Sequence, residues 1–562
     1  MFLTSQERID AYVAKGWWGD TVVDDLTQRN RREVADREAL VDPVNREALD
    51  GRGPRRLTWG QLGQEIDRMA AGLLDLGFAK DDIICVQAPN VAETVLLALA
   101  CARIGLIISP VVMQYREHEL AYVVGKVKPK AFITVERFAG HDHAAMVLGL
   151  RGDFRTVVMN GAAPKGAVSL DEAVAAADPA KAAAYHDANP VRAGEVFTIC
   201  WTSGTESRPK GVPRDHNHWI VNARMVSEAT ELQEAEVVLN PFPLVNIAAF
   251  GMMMSWLWRR GTMVLHHPFD LPVFLGQIGA EKVNYTIAPP AILNALLKTP
   301  QLLAITDLSS VRAIGSGSAP LSPWMIEGFL NDHGIQVCNI FGSNEGASLF
   351  SGAADVPDPG ERARYFPRMG VEGFGWNSPT AQMIRTRLVD PATEQTITTP
   401  QVPGELRIDG AATFTGYWDA DELNAAAFDA DGYFRTGDLF EIAGEGELSR
   451  FYRFVGRCKD IIVRGGVNIS PAEIDDLLAG HPALKEAAVV GVPDDVLGER
   501  MCVAVVPTGE TPRLADVAGW LKDKGLAVFK LPEKLVVVDA LPRNAMNKVV
   551  RNELRERVLE IL

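Results

Sequence analysis

I-I-C-V-Q-A-P-N-V-A-E-T-V-L-L-A-L-A-C-A-R-I-G-L-I-I-S-P-V-V, residues 83–112, is the stretch whose reading decides the fold. It opens on an apolar run from Ile83 to Ala88, passes through a helix-like segment from Val91 to Arg103, and closes on a second apolar run from Leu106 to Val112. Strand, helix, strand within thirty residues predicts neighbouring parallel strands. Just upstream, Leu62, Ile66, Met69, Leu73 and Leu74 recur at helical spacing, with Thr58 as N-cap and Gly77 as stop. Downstream the strand rhythm returns at Phe132–Val135, Arg155–Met159, Val237–Leu239, Met263–Leu265, Tyr285–Ala288, Val311–Ile314 and Val337–Ile340, each pair a helix-length apart. The expectation is a large, doubly wound α/β body.

Past about residue 350 the texture changes to short β-rich segments bounded by Gly, Pro and Asp, such as 404–410 and 431–439, which predicts a small β subdomain over 350–458. From Lys459 on, residues 459–562 read as a separate, mobile α+β domain in which Ser470 caps a helix at Pro471–Ala479. Residues 1–458 form the N-terminal domain on this reading. The Ala-rich stretch Asp171–Ala184 reads as one surface helix.

With 562 residues, 47% hydrophobic and 23% charged, the chain has the material for a large core and is not of a disordered or collagen-like class. Fifty-six basic against 72 acidic residues give a net charge of -16, and no basic stripe is visible, so no nucleic-acid partner is expected. Six scattered cysteines without a C-x-x-C pair suggest a reduced, cytoplasmic protein. The N-terminus lacks the apolar core of a signal peptide, and the most apolar run, Ile247 to Trp258, is too short to span a bilayer, so no stable membrane insertion is expected.

The chemistry concentrates in a few loops. Thr202, Ser203, Gly204, Thr205, Glu206, Ser207, Arg208, Pro209, Lys210 and Gly211 follow the strand-like Val196–Cys200. Such a loop offers backbone N–H groups, hydroxyls and the Lys210 charge to a polyphosphate. It lacks the G-K-[ST] ending of a Walker A sequence. A generic Gly/Ser loop is most often a solvated turn, but T-S-G-T followed by P-K-G is far more specific. Phe341, Gly342, Ser343, Asn344, Glu345, Gly346 follows another strand; Thr436, Gly437, Asp438 and the run Gly456, Arg457, Cys458, Lys459, Asp460 come later. Near the end stands Pro542, Arg543, Asn544, Ala545, Met546, Asn547, Lys548.

These motifs, in this order and spacing over nearly the whole chain, resemble the adenylate-forming superfamily of acyl-CoA and aryl-CoA ligases, carrier-domain adenylation domains and luciferases. The resemblance implies ATP and CoA as cosubstrates, Mg²⁺ on Glu345, and Lys548, Thr205 and Glu345 as catalytic residues. It places ATP or AMP on Thr202, Ser203, Gly204, Thr205 and Lys210, on Gly317, Ser318 and Ala319 as an adenine wall, and on Asn339, Phe341, Gly342, Ser343 and Asn344. Asp438 and Arg457 would take the ribose, Lys459 would be the hinge, and Arg464, Gly465 and Gly466 would meet CoA. Glu206, Ser207, Asn344 and Asn547 depart from the family pattern. Gly and Asn are the residues that most readily take a left-handed backbone, so Asn547 keeps the turn accessible.

The run from Phe242 to Trp256 lies where related ligases bind the acid's tail, giving Asn246, Ile247, Phe250 and Gly251 as acyl-pocket candidates; a core helix is the plainer reading. Pro241 stands where 2-hydroxybenzoate activators carry an amide reader. With no Lys or Arg before Arg259, an uncharged medium-chain, alicyclic or simple aryl acid is expected. Loading of a carrier protein in place of free CoA, a non-catalytic AMP-binding protein, and a metal hydrolase using His216 with His218 or His266 with His267 are the other classes. Partners are small molecules, with the chain a monomer or homodimer.

Overall fold

The computed structural model describes residues 1–202, 208–465, 467–494, 496–544 and 548–562, without the side chain of Asn468. Its fold is mixed α/β, with a large N-terminal domain holding the parallel sheets and a smaller C-terminal domain. The strand–helix–strand reading of 83–112 is met by strands Ile83–Gln87 and Ile107–Pro110, paired in parallel, around helix Ala92–Ile104. All thirteen residues of that helix are buried. Between the ion-paired Glu93 and Arg103 at its ends, the stretch 95–102 is apolar on every side, which makes it an interior element, and it sits in the largest hydrophobic cluster. Gly105, at φ +74, closes it in the left-handed conformation that a side chain disfavours.

Two large sheets carry the body. The seven-stranded sheet runs Gly211–Asp215, Val196–Trp201, Ile107–Pro110, Ile83–Gln87, Ala131–Val135, Arg155–Met159, Val168–Ser169. All its neighbours are parallel except the first pair. The eight-stranded sheet runs Ser348–Ser351, Gln336–Gly342, Ala313–Gly317, Tyr285–Ile287, Val237–Asn240, Thr262–Leu265, Glu38–Val41, Arg56–Thr58. Only its two outer pairs are antiparallel. Strands buried on both faces explain the continuous apolar runs in the sequence.

A third, antiparallel sheet of five strands spans Tyr365–Pro367 to Phe451–Arg457, and a fourth, also of five, begins at Ile462–Arg464. The chain crosses from one to the other within the short segment that contains Lys459. Ser470 caps helix Pro471–Ala479 by accepting from the Glu473 amide at 3.4 Å. The Ala-rich stretch departs from expectation: Leu170–Ala176 and Ala180–Ala188 are two helices. Ala177 is extended, as the segment leading to Pro179 favours, and Asp178 turns the chain by accepting from the Ala180 amide at 3.0 Å. Among the described residues no helix is long and apolar enough to cross a membrane.

Candidate functional site

The hydroxyl-rich loop joins two antiparallel strands rather than a strand and a helix. Val196–Trp201 pairs with Gly211–Asp215, with Trp201 opposite Gly211. Thr202 and Lys210 tie the base: the Thr202 amide donates to the Lys210 carbonyl at 2.9 Å, and the Lys210 amide to Thr202 Oγ1 at 3.1 Å. Ser203, Gly204, Thr205, Glu206 and Ser207 lie outside the described residues. The Lys210 ammonium rests 5.0 Å from the centre of the Tyr417 ring.

The stretch 341–346 forms the tip of a second hairpin, between Gln336–Gly342 and Ser348–Ser351. The Ser343 amide donates to Ala347 and the Gly346 amide to Ser343, which closes the turn. Gly346 has φ +84, and a Cβ there would fall 1.8 Å from the Ala412 carbonyl, so no other residue fits. The turn buries Glu345, whose Oε1 accepts from the Tyr417 hydroxyl at 2.8 Å. Tyr417 therefore touches both Lys210 and Glu345, and nothing in the sequence reading had marked it. Burial, followed by the Glu345 charge, holds its phenol far above the ordinary value, so it stays a donor. Phe341 packs edge-on against Phe440 at 5.0 Å, and the Ser343 hydroxyl has no partner among the described residues.

Asn344 does more than fill a turn. Its Nδ2 donates to the Trp201 carbonyl at 2.9 Å, its Oδ1 accepts the Ile247 amide at 2.9 Å, and its own carbonyl accepts from Arg214 at 3.2 Å. One side chain thus clamps the strand before the hydroxyl-rich loop to the first residue of helix Ile247–Arg259. Asn339, one strand step inward, donates to the Arg362 and Ala363 carbonyls at 3.1 and 3.0 Å. Gly317 ends its strand at the same rim, followed by exposed Ser318, at φ +71, and exposed Ala319.

Across the cleft Asp438 and Arg457 face each other on adjacent antiparallel strands, 3.3 Å apart. Burial pushes the Asp438 carboxyl up to about 6; Arg457 and Lys548 oppose this, while Asp460 and Glu345 add to it. Lys548 arrives from the C-terminal part of the chain, held by its amide donating to Asn544 Oδ1 at 3.0 Å. Burial, with Arg457 adding, draws its ammonium below the ordinary value; Asp438 and Glu345 pull the other way. Ala545, Met546 and Asn547 lie outside the described residues. Lys548, itself half-buried, is thus within electrostatic reach of two carboxylates and of the exposed Arg457 guanidinium. Lys459 is exposed; Arg464 is taken up by a two-pronged pair with Glu533 at 2.9 and 3.0 Å; Gly465, at φ +57, donates to Leu497. Gly466 lies outside the described residues.

The four acyl-pocket candidates separate. Asn246 caps helix Ile247–Arg259, its Oδ1 accepting from the Ala248 and Ala249 amides at 3.1 and 3.2 Å. Ile247 stands at the rim. Phe250 points the other way, into the main core against Trp219 and Phe197. Gly251 backs onto Asn222, whose Oδ1 a Cβ would approach to 2.7 Å. Helical geometry turns a residue's next neighbours away and brings the fourth or fifth back, so the face opposite Phe250 carries Ala248 and Met252. These two meet Tyr285, Ile287, Ala313 and Ile340 in a separate apolar cluster that the sequence reading missed. Three of the four histidines are hydrogen-bonded to protein groups: His216 Nδ1 accepts from Val23, His218 meets Asp215 and Thr413, and His266 meets Gln277 and Asp270, while His267 packs against Phe138 with its Nε2 unpaired among the described residues. Among the described residues no group of three or more His, Cys, Asp or Glu could hold a metal ion.

The sequence pattern of the AMP-binding enzymes matches residues 27–418, and that of the AMP-binding enzyme C-terminal domain matches residues 473–548. The chain is 30% identical over 549 residues to triostin synthetase I of Streptomyces triostinicus, covering 97% of this chain and 96% of that protein. It is 29% identical over 571 residues to the medium-chain fatty-acid–CoA ligase of Escherichia coli (strain K12), covering 99% and 94%. The ATP-bound structure of MatB from Rhodopseudomonas palustris superposes with a TM-score of 0.77 at 26% identity, over 96% of this chain and all of that one. The chain belongs to the AMP-binding enzyme family, the adenylate-forming ligases.

Proposed function

Proceeding from that membership, we propose that the protein is an AMP-forming ligase that joins an uncharged, largely apolar carboxylic acid to CoA. The observation that carries the reading is that Asp438, paired with Arg457 at 3.3 Å, and Glu345, which accepts from Tyr417 at 2.8 Å, both act electrostatically on Lys548 from the C-terminal part. Such a cation supports a carboxylate attacking the α-phosphorus of ATP. The new O–P bond forms as the bond to pyrophosphate breaks, and negative charge builds on the phosphoryl oxygens. Catalysis of that kind rests on position and fixed charge, which Lys548, Lys210 and the loop 202–210, with Ser203, Gly204 and Thr205, supply on this reading. Ser318, Ala319, Phe341 and Asn339 border the adenine; Asp438 and Arg457 hold the ribose. A CoA thiol then attacks the acyl carbon of the adenylate, the C–O bond breaks and AMP leaves.

Glu345 presents a single carboxylate, one oxygen of which already takes the Tyr417 hydroxyl. That donor set suits Mg²⁺, which keeps several waters and takes its remaining ligands from substrate phosphates. When bound, the ion neutralises phosphate charge. Because Lys548 serves the first step, while Arg464, Gly465 and Gly466 meet CoA in the second, the unit from residue 459 onward turns about Lys459 between steps. The apolar wall of Ala248, Met252, Ile287 and Ile340 supports an uncharged tail. A second reading, transfer to a carrier-held thiol, draws on a relative named for triostin rather than for a CoA ester. A panel of acids incubated with ATP, Mg²⁺ and CoA decides. AMP, pyrophosphate and an acyl-CoA are expected; ADP would overturn the class, and AMP formation unaffected by free CoA would favour the carrier.

A further inference from the structure

Tyr285 is the one polar side chain in the apolar cluster that faces the acid. It lies on the short strand Tyr285–Ile287 and is fully buried, and its hydroxyl has no hydrogen-bond partner among the described residues. Alternation along a strand puts Tyr285 and Ile287 on one face; Thr286, on the other, donates to the Leu239 carbonyl at 2.8 Å. A buried hydroxyl left unpaired destabilises a fold, and phenylalanine would fill the same volume without that penalty. Burial, chiefly, keeps the phenol protonated at every physiological pH.

The hydroxyl is aimed at the floor of the acyl wall. A Cβ on Gly315 would fall 2.7 Å from it, 2.9 Å from Ile340 Cδ1 and 3.5 Å from Ile287 Cγ1, so the missing side chain of Gly315 leaves the oxygen its place. Gly315 is two residues from Gly317 at the cleft rim, and Ile340 is half-buried immediately before Phe341. Ile340 and Met252 belong to the same cluster as the Tyr285 ring, with Ala248 packed against it, and Ile340 Cδ1 and Ile287 Cγ1 border the space above Gly315 that the hydroxyl enters.

We propose that Tyr285 is a specificity-determining residue of the acyl site: its hydroxyl hydrogen-bonds a neutral polar substituent, a hydroxyl, keto or amino group, carried by an otherwise apolar acid on the part remote from its carboxylate. This rests on the reading of the site given above. A second carboxylate on the acid does not fit, because the neighbouring cation, Arg312, is taken up by Glu236 at 2.8 Å through two nitrogens and by the Thr230 carbonyl through the third. A phenol both donates and accepts, so either polarity of substituent is served.

The test compares matched pairs, straight-chain acids of increasing length with and without a terminal hydroxyl and benzoates with and without a ring hydroxyl, by specificity constant for AMP formation. Because the oxygen sits at one depth, the substituted acid is expected to win by about tenfold at one or two lengths only, and Tyr285→Phe should abolish that peak. The same substitution should leave the melting temperature of the ligand-free protein equal or higher. Preference for the plain acid at every length, a peak that survives in Tyr285→Phe, or a lower melting temperature of that variant would each overturn the assignment. AMP from none of the acids would instead bring down the reading of the site as a whole.

Discussion

The proposed nucleotide rim and the proposed acyl wall are built in opposite ways. The rim takes Phe341, Ser343, Asn344 and Glu345 from one hairpin tip of six residues, and Thr202 and Lys210 from the base of another. The wall takes Ala248 and Met252 from a helix, Tyr285 and Ile287 from one strand, Gly315 from the next and Ile340 from a third. On the proposed reading phosphate and ribose meet turns whose backbone and charge are set locally, and such turns leave contiguous signatures. A tail is recognised by shape, which only packing creates. Asn344 ties the hairpin that carries the proposed rim to the first residue of the helix that carries Ala248 and Met252.

The largest effect is expected from removing charge at the rim. Lys548→Ala should slow acid-dependent exchange of pyrophosphate into ATP by roughly 10²- to 10³-fold, the scale of one preorganised donor at a developing anion. Thioester formation from supplied acyl-adenylate should suffer much less. Equal losses in both half-reactions would show that the rim does not change partners between steps.

Asp438→Asn comes next and separates rim binding from stability. Only the ionised carboxylate accepts from both ribose hydroxyls, so AMP affinity should weaken as pH falls through about 6. The variant should bind roughly tenfold more weakly at pH 8 and lose that pH dependence. The folded carboxyl titrates above its unfolded value near 4, so its stabilising contribution is complete below about 4 and is lost as pH rises through about 6. At pH 8 the Asn variant should therefore be the more stable by about 1–3 kcal/mol in denaturant unfolding. A less stable variant would mean that the buried carboxylate is held by partners that outweigh its desolvation.

The smallest effect tests the clamp. Asn344→Ala leaves the Ile247 amide and the Trp201 carbonyl without their partner, a loss of about 1–2 kcal/mol that should appear as a similar drop, near tenfold, in specificity constants for ATP and for the acid alike. A change confined to one substrate would show that the two halves are positioned independently.

Much of the rim was legible because its constraints are local. The cap at Ser470 and the stop at Gly77 follow the same logic, and so do the apolar runs of the parallel strands. The wall was not legible. Phe250, chosen from a contiguous apolar run, turns into the main core, while Met252 two residues later joins the separate cluster of Tyr285 and Ile287, the proposed acyl wall. Tyr417 escaped notice for a similar reason: its closeness to Glu345 and Lys210 depends on the Gly346 turn seating against Ala412.

The amino-acid sequence by itself determined the α/β class and, apart from the break in the Ala-rich stretch, most of the succession of strands and helices it marked, because hydrophobic period, glycine conformation and capping act over a few residues. Only the tertiary structure decided which face of helix Ile247–Arg259 meets Tyr285 and Ile287, that Asn344 spans two elements, that Lys548 comes within electrostatic reach of Asp438, and that the Tyr285 hydroxyl ends beneath Gly315 without a partner among the described residues. Burial and distance between residues remote in the chain arise from how the sheets pack, and no local rule of composition or spacing carries them.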